Sequence, residues 1–90
     1  MKIVLKYSFA GDNFVSVPVG PIRAVAFQRG EVCVWVEVDK FNARRDRILI
    51  IYPTGVDVGP FLNFVGTAVS DDLVWHVYER AAAFQNDQRY

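Results

Sequence analysis

"RAVAFQRGEVCVWVEVD", residues 23–39, decides the fold class. Two β-rich runs meet at "QRGE", where Gly30 can take the positive φ of a tight turn without a Cβ penalty. The stretch is read as a β-hairpin. In its second arm Val32, Val34, Val36 and Val38 fall on one side of an extended chain, and Glu31, Cys33, Trp35 and Glu37 on the other. Strand side chains alternate with a period of two, so the valines form one apolar face that must meet a core.

The same period recurs on both sides of the hairpin. In "KIVLKYSF" Ile3, Leu5, Tyr7 and Phe9 share a face, while Lys2, Lys6 and Ser8 point the other way and Val4 breaks the pattern. "AGDN" offers a turn, and "FVSVP" a short strand that Pro18 ends or confines to a sheet edge, because proline cannot donate to a ladder. Beyond the hairpin, "KFNARRD" reads as a loop and "RILIIYP" as a strand apolar enough to be central. "TGVDVGP" is an irregular connection. "NFVGTAVS" and "DDLVWHVYER", joined at "SDD", make a second hairpin. The expectation is one all-β domain over residues 1–80, of six to seven antiparallel strands in a small sandwich or barrel, the two forms being left open. Residues 81–90, "AAAFQNDQRY", are expected to be a frayed tail or a short helix carried by the alanines.

Ninety residues allow a single core. With 52% hydrophobic and only 22% charged residues the chain is too apolar for disorder, and a short chain so composed leaves apolar surface for self-association or a ligand. Ten basic residues balance ten acidic ones, so no long-range field attracts a long nucleic acid or an anionic membrane, and any anion site must be local. One cysteine permits neither an internal disulfide nor a multi-cysteine zinc site. No run approaches membrane-spanning length, and Lys6 and Asp12 interrupt the start too early for a signal peptide. A cytoplasmic protein with neither cofactor nor metal is expected.

Three places could carry chemistry. The loop "KFNARRDR" gathers Arg44, Arg45 and Arg47 beside Phe41; guanidinium forks suit phosphate and an aromatic ring suits a base. Against that stands an ordinary solvated connection, with Asp39 and Asp46 partly neutralising the cluster. The lone histidine, His76, shares a strand face with Tyr78 and Arg80, opposite an apolar face containing Trp75. It is read first as a strand side chain, second as part of a binding surface with Tyr78 and Arg80, and last as a catalyst. Cys33 with His76 as its base would need spatial adjacency and an orienting third group. Trp35, among polar neighbours on the non-valine face, suggests an interface, so oligomerisation through that face or an edge strand is expected. No phosphate-binding glycine loop, nucleophile elbow or metalloprotease signature is present, which disfavours an enzyme.

At "QRGEVCVWVEVD" and "FVGTAVSDDLVWHVYE" the sequence resembles a family of short, largely uncharacterised proteins of tailed bacteriophages and prophages. The matching residues are Gly30, Cys33, Trp35, Val38 and Asp39, then Thr54 and Gly55, then Gly66 and Thr67, then Val74 to Glu79, with Lys6 and Tyr7 in the opening strand. The resemblance covers most of residues 6–79. The loop from Lys40 to Asp46 departs from the family's proline-containing version, and the tail from Arg80 onward lies outside it. The resemblance implies a phage origin, a host-cytoplasmic setting and no known catalysis.

Many small phage proteins bind host defence components or sequester their nucleotide signals. By that analogy the chain is expected to be a non-enzymatic anti-defence sponge, an oligomer that holds a cyclic nucleotide or other anionic small ligand between aromatics and arginines. The alternative is a protein-binding or structural oligomeric module acting on a host or phage protein.

Overall fold

The structure, a computed structural model, describes residues 1–41 and 45–80. Arg44 and the expected tail or helix of residues 81–90 lie outside the described residues. Among the described residues seven strands form: β1 (Lys2–Ser8), β2 (Phe14–Pro18), β3 (Ile22–Gln28), β4 (Glu31–Asp39), β5 (Asp46–Pro53), β6 (Leu62–Val69) and β7 (Val74–Arg80). They pair antiparallel as a three-stranded sheet, β1-β4-β3, and a four-stranded sheet, β2-β5-β7-β6. The choice between sandwich and barrel falls to the sandwich. Among the described residues no ladder joins the two sheets; a shared core does.

The valine face of β4 is that core's floor. Val34 and Val36 have no exposed surface, and Val32 and Val38 almost none. Burying each side chain contributes about 1.5–3 kcal/mol. Leu49 and Ile51 of β5, Val77 of β7, Val17 of β2 and Ala68 of β6 close over them from the other sheet, and Phe9 plugs one end. These residues alternate with outward-facing ones along each strand, so the pattern that built the strands also sorted their faces.

The turns follow from local chemistry. At the β3–β4 hairpin Arg29 (φ 53°) and Gly30 (φ 80°) both adopt positive φ, the pattern of a type I′ turn, whose twist matches that of the strands. Gly30 was the expected residue there; Arg29 accepts the left-handed region at some steric cost. β2 ends at Pro18 on an edge, as proline requires. Bulges interrupt β3 between Ile22 and Ala24 and β6 between Phe64 and Gly66. At the second bulge Gly66 lies so close to β3 that a Cβ would stand 2.9 Å from Val25 Cγ2, so the two sheets meet tightly along the β3–β6 side. Among the described residues no helix is long and apolar enough to cross a membrane.

Candidate functional site

Alternation that sends Leu49, Ile51, Val77 and Ala68 inward sends another set of side chains outward from the four-stranded sheet. The register aligns them in rows. Phe14, Ile50, Tyr78 and Phe64 stand side by side across all four strands; Tyr52, His76 and Thr67 form the next row. Tyr78 is the hub: its ring lies edge-to-face with Tyr52 (centroids 5.8 Å apart, 81° between planes) and with Phe64 (5.5 Å, 70°). Phe14 and Phe64 remain 55% and 59% exposed. Among the described residues nothing covers this contiguous aromatic and aliphatic face, which makes it the candidate contact surface.

β5 and β6 both run antiparallel to β7, hence parallel to each other, so the chain between them must return past β7. Residues 54–61 make this strap and come back beside the outer face. A shallow groove of about 200 Å³ lies between the strap's Gly59, Pro60 and Phe61 and the sheet's Ile50, Tyr52 and Arg80. A second depression of about 430 Å³ continues from Ile50, Tyr52 and Arg80 to Ile48 and Phe14. Arg80 is exposed and borders both, adding a guanidinium to a lining of aliphatic and aromatic side chains that in the second depression also includes the Asn13 amide.

His76 pins the strap to the sheet. Its Nε2 is 2.9 Å from Thr54 Oγ1 at the strap's start, and its Nδ1 is 3.1 Å from Thr67 Oγ1 of β6. A neutral imidazole has one donor and one acceptor nitrogen, and each hydroxyl can turn to complement either tautomer. Both ring nitrogens are therefore engaged with threonines, an arrangement suited to positioning rather than to proton transfer or metal ligation. His76 shares its strand face with Tyr78 and Arg80, as the alternation implies, and β5 and β6 add Ile50, Tyr52 and Phe64 beside them.

The other residues singled out in the sequence are dispersed. Arg47 does not belong to an anion-binding loop: Val17 is its cross-strand partner, and it turns to the inner side. There Nη1 donates to Glu79 Oε1 at 3.1 Å and Nη2 donates to the Gly20 carbonyl. Phe41 is 74% exposed, with Lys40 Nζ 6.0 Å from its ring centre, and Arg45 is exposed in the loop that joins the sheets.

Trp35 stands on the outer face of the three-stranded sheet, across the sandwich from Tyr78. It is half-buried, with Lys6 Nζ 5.9 Å from the ring centre. Cys33, on the same side, is 1% exposed between its cross-strand neighbours Ser8 and Ala26. It belongs to a different sheet from His76, so the two form no nucleophile–base pair. Among the described residues no three His, Cys, Asp or Glu side chains group as a metal site.

The residues sequence reasoning missed are Phe14, Ile50, Tyr52, Phe61 and Phe64. A signal was present: "ILIIY" is apolar at every position, so one of its faces had to point away from the core.

No curated protein and no solved structure matches the chain. A family described as "Domain of unknown function (DUF7352)" matches residues 1–88. Because that match takes in nearly all of the 90 residues, hairpins, strap and aromatic face included, the chain belongs to the DUF7352 family.

Proposed function

We propose that this protein is a non-enzymatic binding module whose working surface is the outer face of the four-stranded sheet, and that its partner is a protein presenting a complementary apolar face. The observation that carries the reading is the four-strand row Phe14–Ile50–Tyr78–Phe64, left uncovered among the described residues while the inner faces of the same strands pack in the core. Clustered aromatics at the centre of a patch are the side chains that dominate protein contacts. A phage origin would make the partner a host or phage protein in the host cytoplasm.

A second reading has one observation in its favour. Arg80 borders the groove beside Tyr52 and Phe61, a combination that could stack a base and pair a phosphate, as sequestration of a cyclic nucleotide requires. With Arg47 turned inward, that anion site has fewer cations than the loop promised, and protein binding is the better supported.

Photo-crosslinking separates the two. A benzophenone side chain placed at Phe14 or Phe64 should trap one discrete protein in the native host, whereas the same group at Ala24, exposed on β3 of the opposite sheet, should not. Phe64→Ser should abolish the adduct formed from position 14. Equal labelling from both sheets, or none from either, would sink the proposal. A nucleotide mass retained in native mass spectrometry and lost in Arg80→Ala would transfer the assignment to the second reading.

A further inference from the structure

The sandwich has four sheet edges, and three are blunted. β2 is short and ends in Pro18, while β3 and β6 carry bulges and meet each other along the tight side at Val25 and Gly66. The fourth edge, β1, runs through Lys2–Ser8 with neither bulge nor proline. Beyond the ends of its ladder, Lys40 N donates to Met1 O (2.7 Å) and Phe9 N to Val32 O (3.0 Å). That phase turns the odd-numbered amide groups of β1 toward β4 and aims those of Lys2, Val4, Lys6 and Ser8 away from it.

Two further features point to a strand as the missing neighbour. Ile3, Leu5 and Tyr7 pack on the core yet stay only half-buried, and among the described residues no strand pairs with β1 on the side away from β4. The sheet containing β1 has three strands where its partner sheet has four. The lysines do not stand guard over this edge. Lys2 Nζ lies 3.9 Å from Glu37 Oε2, and Lys6 reaches across Trp35 to Gln28, so both fold back over their own sheet.

We infer that β1 pairs antiparallel with β1 of a second copy of this chain, making one continuous six-stranded sheet across a two-fold axis at Leu5. The charge pattern selects the occupant and the register. With Leu5 opposite its own copy, Val4 lies opposite Lys6, Lys2 opposite Ser8 and Ile3 opposite Tyr7. Shifting the register by two residues in either direction sets lysine against lysine, which is unfavourable. Val4 and Lys6 then exchange both backbone bonds across the axis, and Ile3, Leu5 and Tyr7 meet their counterparts on the core side. This pairing does not depend on the function proposed above, because the aromatic face belongs to the other sheet.

Amide exchange and sedimentation on the full chain test it. The pairing predicts a dimer that dissociates on dilution, with the Val4 and Lys6 amides protected in the dimer and fast in the monomer. Val4→Pro removes an outward N–H while sparing the β1–β4 bonds, and should raise the dissociation constant at least about tenfold. Leu5→Cys should crosslink as a dimer on mild oxidation, since cross-strand positions of this kind bring Cα atoms within disulfide range. Free exchange at Val4 and Lys6 at every concentration would overturn the inference, as would a dimer untouched by Val4→Pro or one that Leu5→Cys cannot trap. Should Val4→Pro fail to fold, the exchange measurement on the unaltered chain decides alone.

Discussion

Truncating Arg47 separates a structural arginine from a ligand-binding one. Its side chain is 12% exposed and that of Glu79 28%, and the guanidinium joins β5 both to β7 and to the Gly20 carbonyl ahead of β3. Its Nε is buried without a partner among the described residues, so these two bonds are what hold it there. A hydrogen bond to a charged group contributes about 1.5–3 kcal/mol. Glu79 can partly rehydrate once its partner is gone, so the low end applies to each bond, and Arg47→Ala should cost about 3 kcal/mol. For a domain of this size that lowers Tm by about 12–24 °C and leaves a folded protein. The assay is urea unfolding followed by tryptophan fluorescence, from Trp35 and from Trp75, which packs on the core. A double-mutant cycle with Glu79→Gln should return a coupling of at least about 1 kcal/mol. A loss below about 0.5 kcal/mol would refute the reasoning, because that is how an exposed side chain behaves, and would return Arg47 to the list of anion ligands.

Two other perturbations test the packing and the electrostatics. Gly66→Ala drives a Cβ to 2.9 Å from Val25 Cγ2 and should destabilise the fold by about 1–3 kcal/mol; Val25→Ala in the same chain should recover part of the loss, measured by thermal unfolding. Glu37 is held below its ordinary value of 4.5, first by the hydrogen bond from Arg23 Nε (2.8 Å) against an opposing effect of burial, then by the charges of Arg23 and Lys2. The folded protein therefore binds that proton more weakly than the unfolded chain. The stabilisation is complete above the unfolded value and is lost as pH falls through the lower folded one, so Glu37→Gln should flatten the acid limb of a stability–pH curve.

The sequence by itself determined the strands, both hairpins and the inner face of the sandwich. Each is a local property: a period of two sorts Val32, Val34, Val36 and Val38 to one side, and Gly30 permits the turn whatever lies elsewhere. Only the tertiary structure decided which of the remaining faces stays open. "ILIIY" is apolar on both sides, and no local rule says that its second face is left uncovered or that β2 and β6 set Phe14 and Phe64 in line with Tyr78. The place of Arg47 was hidden for the same reason. Arg44, Arg45 and Arg47 look alike as neighbours in a chain, but strand pairing turned Arg47 inward to a carboxylate 32 residues away. Likewise His76 became a clamp because the strap brought Thr54 to one nitrogen and β6 brought Thr67 to the other. Contacts between residues far apart in the chain depend on sheet order, and sheet order is settled by how the faces pack rather than by any one segment.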